Sequence, residues 1–73
     1  MPFLMITLAQ PGFSGRRAKW RVCVGPSESA CKLNASTREG RAARLLVEYV
    51  RGTQHDAERA GERLFTIWRR MHA

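Results

Sequence analysis

Two cysteines, two histidines, a single aspartate and a Gly-Phe-Ser-Gly stretch are the residues whose types could support covalent or metal chemistry. Their spacing does not assemble a reaction centre. Gly12-Phe13-Ser14-Gly15 lacks the further residue before the second glycine, and the strand-to-helix setting, that a nucleophile elbow requires. His55 and His72 fall at opposite ends of one expected helix and Asp56 is the only Asp. A Ser-His-Asp or Cys-His set would therefore have to be gathered from scattered positions. His55 reads instead as a solvent-facing first-turn residue, and His72 as a C-terminal one that complements the helix dipole. Cys23 and Cys31 are too few for a disulfide framework and lack metal-ligand spacing, so they read as reduced thiols. The expectation is a non-enzyme with no catalytic residues, no metal site and no cofactor.

The informative chemistry is cationic. The 73 residues carry 13 Lys and Arg against 6 Asp and Glu, a formal charge of +7, and the isoelectric point is about 11.1. Only Lys19 and Lys32 are lysines, so the excess is almost wholly arginine. The guanidinium is a planar, permanently charged fork that matches phosphate oxygens and guanine edges. Such an excess on a short chain favours a polyanionic partner, nucleic acid first and an acidic protein surface second.

Patterning must then say which elements position these groups. The length bounds the chain to one small domain with one core, and a hydrophobic fraction of 44% with 26% charged residues argues against disorder. Phe3 to Ala9 is an apolar run closed by Gln10-Pro11-Gly12, which predicts a strand over 3–9. Its two apolar faces fit a central position, a covered one or a homodimer contact. It is too short for a bilayer span or for a signal-peptide core with flanks, so the expectation is a cytoplasmic protein with no membrane partner. Pro11 to Arg17 reads as a mobile basic loop. Residues 19–24 alternate, with Lys19, Arg21 and Cys23 on one face and Trp20, Val22 and Val24 on the other, as a half-buried strand does.

After the turn at Gly25-Pro26, residues 30–35 are expected to return as a third strand. The register that keeps apolar side chains together sets Val24 opposite Cys31 and Val22 opposite Leu33, with Lys32 beside Arg21 outside. It also turns Cys23 and Cys31 to opposite faces. Ser36-Thr37-Arg38-Glu39 has capping-box spacing, and Ala42, Leu45, Leu46, Tyr49 and Val50 recur at helical spacing, predicting a helix over 37–51. Gly52 and Thr53 separate it from a second helix over 54–71, whose stripe is Ala57, Ala60, Gly61, Leu64, Phe65, Trp68 and Met71, widened by Ile67. The fold class is thus α+β, in the order β-β-β-α-α, with a small antiparallel three-stranded sheet packed by two amphipathic helices.

On that frame the lightly compensated charge lies N-terminal. Residues 1–34 hold Arg16, Arg17, Lys19, Arg21 and Lys32 against the single acid Glu28. A two-stranded ribbon with outward basic side chains fits a DNA major groove; an edge hairpin kept soluble by its charges has the same pattern. Arg38, Arg41, Arg44 and Arg51 would share the outer face of the first helix, with only Glu48 among them, as a secondary phosphate-contacting surface. Arg59, Arg63 and Arg70 have Asp56, Glu58 and Glu62 close by and read as a salt-bridged face. Trp20 and Trp68 lie on apolar faces and read as core.

The run Lys19-Trp-Arg-Val-Cys-Val24, a polar turn, Cys31-Lys-Leu-Asn-Ala35 and then Ser36-Thr-Arg-Glu-Gly-Arg-Ala-Ala43 resembles the three-stranded-sheet-plus-helix DNA-binding domains of the AP2-like and integrase arm-binding type. The likeness covers residues 19 to about 50. It implies a sheet whose exposed face enters the major groove with a helix behind, and it places Lys19, Arg21 and Lys32 at DNA-facing positions. Cys23 stands where a polar reader is expected, and the second helix has no counterpart. The resulting expectation is a small nucleic-acid-binding accessory or regulatory protein of phage or mobile-element type, acting on double-stranded DNA. The alternative is an interaction module or small inhibitor that docks on an acidic surface of a larger assembly.

Overall fold

The computed structural model describes residues 1–72. The protein is α+β: strands β1 (Phe3–Gln10), β2 (Lys19–Gly25) and β3 (Leu46–Arg51) form one antiparallel sheet in the order β1-β2-β3. Two short helices, α1 (Glu28–Cys31) and α2 (Arg38–Ala42), lie between β2 and β3, and the long helix α3 (Gln54–Met71) ends the chain. Three strands and an amphipathic helix are therefore present, but the order is β-β-α-α-β-α. Among the described residues no helix is long and apolar enough to cross a membrane.

Two expected elements are corrected. Residues 30–35 are not a strand: the Ser27 hydroxyl accepts from the Ala30 amide and opens the single helical turn of α1. Neither Ala30 nor Cys31 brings the β-branching that would favour an extended chain, and Val24 is paired by Leu4 and Leu46 rather than by Cys31. The helix expected over 37–51 is confined to residues 38–42, capped by Thr37 rather than Ser36. It ends where Arg44 takes a left-handed backbone with φ 55°, costly for a side chain bearing a Cβ. Residues 46–51 then carry a second periodicity. Leu46 and Val50 face one side with Glu48, and Val47 and Tyr49 face the other with Arg51. Lining up beside β2, they complete a sheet that has no other third strand.

The basic loop after β1 closes in a hydrogen-bonded turn. Phe13 and Arg16 exchange both backbone hydrogen bonds, 3.1 and 2.6 Å, around Gly15, whose φ of 75° suits a residue without Cβ. A bulge between Leu8 and Gln10 shifts the β1–β2 register just before this turn. At the same end the Trp20 indole donates to the Gly52 carbonyl at 3.0 Å, fixing the sharp passage from β3 into α3. Thr53 then caps α3 in a full capping box with Asp56. The Thr53 backbone N–H, at 2.8 Å, and the Thr53 hydroxyl, at 3.1 Å, both donate to Asp56 Oδ2 and hold that carboxyl below its ordinary pKa of 3.8.

One sheet face is sealed by α3. Val22 and Val24 of β2 pack with Ala57, Ala60, Leu64 and Trp68, and Leu4, Ile6, Trp20, Leu46, Val50 and Phe65 close the margin. Both tryptophans are core, as their faces implied. Gly61 lets α3 approach β1, since a Cβ there would stand 3.0 Å from the Leu4 methyls. Ile67 and Met71, expected to extend the stripe, remain exposed.

Candidate nucleic-acid interface

Because successive side chains on a strand alternate between faces, burying Trp20, Val22 and Val24 under α3 sends Lys19, Arg21 and Cys23 to the other face. Register then arranges that face in rows. Gln10, Lys19 and Arg51 form the first, Thr7, Arg21 and Tyr49 the second, and Met5, Cys23 and Val47 the third, with Phe3 and Gly25 beyond. No acidic residue occupies any row.

The rows differ in cover. The segment linking β2 to β3 folds back over the far end, where Cys31 and Cys23 are both fully buried free thiols. They meet on this one face, against the expectation of opposite faces. The Cys31 Sγ–H is within weak hydrogen-bonding reach of the Phe3 carbonyl at 3.5 Å and the Cys23 carbonyl at 3.9 Å. Burial, followed by the hydrogen bond and charge of Cys23, pushes the Cys31 pKa up to about 12, so at neutral pH it is a packed thiol and not a nucleophile.

Arg21 fixes this cover in place. Its two terminal nitrogens donate to the carbonyls of Cys31, at 2.8 Å, and Leu33, at 3.0 Å. The guanidinium is thus a clamp on the 31–36 segment as well as a cation on the face. Between that segment and the sheet lies an open groove of about 760 Å³. Its floor is Met5, Thr7, Arg21, Val47 and Tyr49, and its wall runs from Cys31 through Lys32, Leu33 and Asn34 to Ser36. The wall is braced by Asn34, whose Oδ1 accepts from the Ser36 amide at 2.9 Å and from the Ser36 hydroxyl at 2.7 Å.

At the near end, Gly15, Arg16, Arg17 and Arg51 surround a second depression of about 460 Å³. Arg51 reaches the Arg17 carbonyl and Gln10 Oε1, each at 3.4 Å. Lys19 lies with Nζ 5.0 Å from the centroid of the Tyr49 ring, within cation–π range.

The structure therefore brings Arg16, Arg17, Lys19 and Arg21 to one face and its end. Lys32 reaches the groove by another route than the expected strand. It is the C-cap of α1, largely exposed, and pairs with Glu28 at 3.6 Å. Arg38, Arg41 and Arg44 are exposed on and just after α2, where Arg41 donates to the Ser36 carbonyl at 3.1 Å; they line neither depression. Within α3 only His55 and Glu58 pair among the described residues, at 4.0 Å. Arg63 instead crosses to Glu48 of β3, so the expected ladder of helix-internal ion pairs is replaced by a bridge to the sheet.

Sequence reasoning missed Tyr49, Val47, Met5 and Thr7 as members of this surface, and placed Arg51 on a helix face where the structure puts it on β3 across from Lys19. The usable signal was the alternation Val47, Tyr49, Arg51 against Leu46, Glu48, Val50, which is only visible once 46–51 is read with a period of two. Among the described residues no group of three or more His, Cys, Asp or Glu is placed to hold a metal ion. No family model matches the chain, and no curated protein or solved structure matches it.

Proposed function

We propose that the protein binds nucleic acid through the sheet face opposite α3. The observation that carries this reading is the distribution of charge: Lys19, Arg21 and Arg51 occupy adjacent rows that hold no acid, with Arg16 and Arg17 at their end. Cations so grouped neutralise successive phosphates and release their counterions. A sheet of three strands spaced about 4.8 Å apart is roughly 10 Å wide, comparable with a major groove of about 12 Å. Of the likeness to AP2-like and integrase arm-binding domains, only the β2 run 19–24 and a helix behind the sheet, here α3, remain, because residues 30–35 and 37–51 do not form the strand and helix it implied. One departure matters. The cover over the third and fourth rows keeps a duplex from lying along the whole face, so contact is concentrated on the first two rows.

The test is affinity for short labelled oligonucleotides measured against salt. Four phosphate contacts, by Arg16, Arg17, Lys19 and Arg51, give a log–log slope of about −3 to −4. Replacing Arg16 and Arg17 together by Ala makes that slope shallower by about 1 to 2. The same change at Arg59 and Arg70, exposed on α3, leaves it in place. Absence of binding at low salt, or a flat dependence, overturns the reading and turns attention to an acidic protein surface.

A further inference from the structure

We infer that the groove between the sheet and the 31–36 segment receives an unstacked base, so that the preferred partner is a single strand rather than a duplex. This rests on the nucleic-acid reading and specifies the form of the ligand. Three features of the groove carry it.

The first is Tyr49. It stands in the middle row of the open face and is 55% exposed, although the core on the opposite face has no use for it. An exposed aromatic on a sheet surface offers a flat π-face on which any base can stack.

The second is the composition of the groove. Val47, Met5 and Leu33 supply apolar surface beside Tyr49, while Arg21 and Lys32 are its only charged lining residues. A floor with apolar and aromatic surface, edged by Arg21 and by Lys32 with its partner Glu28, suits a ligand that is flat and apolar at one end and anionic at the other. A nucleotide has that composition. An acidic peptide, whose charge is carried on flexible side chains, does not require the aromatic floor. The volume of about 760 Å³ falls in the range of small-ligand clefts, about 300–1,000 Å³.

The third is shape. The braced 31–36 segment rises as a wall beside the floor, so only a base turned out of a stack can reach Tyr49. Lys19, already at 5.0 Å from the ring, and the Arg16, Arg17 and Arg51 cluster then lie along the path that the adjoining phosphates must follow. The wall also explains why Arg21 is held by two carbonyls instead of standing free: it keeps the groove open at a fixed width.

The experiment compares three labelled probes of equal length at one low salt concentration: a mixed-sequence single strand, its duplex, and an abasic strand with the same phosphates. The single strand is expected to bind at least tenfold more tightly than the abasic strand and more tightly than the duplex. Tyr49→Ala is expected to weaken the single strand by about 5- to 100-fold, the range for loss of one stacked base, and to leave the abasic strand unchanged. Tyr49→Phe keeps the affinity, since stacking needs the ring and not the hydroxyl. Because Tyr49 is exposed, circular dichroism of the variants should match the wild type. Equal binding of single and abasic strands, or no effect of Tyr49→Ala, overturns the base-binding groove while the basic-face reading stands. Failure of every probe to bind overturns both.

Discussion

The two faces of β2 belong to one strand of 7 residues, yet they meet different surroundings. Towards α3, Val22 and Val24 are fully buried in an apolar layer closed by Trp68 and Leu64. On the other side, Lys19 and Arg21 share the face with Tyr49 and Arg51, and only the far end is covered, by a segment that Arg21 holds through backbone carbonyls. Hydrophobic burial is non-directional and scales with area, so the first face tolerates no loss of volume. The second depends on the direction of a few hydrogen bonds and on charge. Packing and surface charge are thereby divided between alternate residues of the same strand.

The division is most severely tested from the packed side. Trp68→Ala removes the largest core side chain, and substitutions of this kind cost about 3–5 kcal/mol, comparable with the whole core contribution of a domain this small. The variant should be largely unfolded at room temperature, by circular dichroism and denaturant titration. A cooperative fold close to wild-type stability would show that α3 is not what holds the sheet.

A smaller and more local effect is expected from Arg21→Ala. Hydrogen bonds from a charged donor contribute about 1.5–3 kcal/mol, and their loss here should free the 31–36 segment without opening the core. Amide exchange should quicken across residues 27–36 while Val22 and Val24 stay protected. Uniform loss of protection would mean that the two faces do not unfold separately.

The smallest effect belongs to Cys31. Its folded pKa of about 12 lies above the ordinary 9.0. Below pH 9 both states hold the proton and the group adds no pH dependence. Between pH 9 and 12 the unfolded chain releases a proton that the folded chain retains, so the stability contributed by this thiol declines as pH rises. Denaturant midpoints of wild type and Cys31→Ala should therefore converge between about pH 8 and about pH 10.5. A gap that stays constant would mean that the thiol is not shielded by the covering segment.

The same contrast governs how much of the molecule was legible from its residues. β1, β2 and α3 each carry a clear local signal: a short apolar run closed by Pro11-Gly12, clean alternation in the second strand, and a helical stripe beginning after Gly52-Thr53. The antiparallel three-stranded sheet was accordingly within reach. Residues 26–51 offered two periods at once. Leu45, Leu46, Tyr49 and Val50 satisfy a helix, whereas Leu46, Glu48 and Val50 satisfy a strand edge, with a charge that Arg63 meets from α3. The choice is made by the vacant side of β2, a tertiary circumstance that no local window contains. The site shared that fate. Lys19 and Arg21 could be assigned to the outer face from β2 alone, but Tyr49 and Arg51 join them only once β3 is in place.

That register has an electrostatic consequence of its own. Lys19 stands directly across from Arg51, with Arg16 and Arg17 near at hand, and like charges facing one another across a strand pair oppose the pairing. At this end Lys19 leans over the Tyr49 ring, Arg51 reaches the Arg17 carbonyl and Gln10, and Asp56 at the start of α3 is the acid that acts on Arg17. On the nucleic-acid reading proposed above, a polyanion bound here would offset the local excess of positive charge, so ligand and fold would reinforce one another.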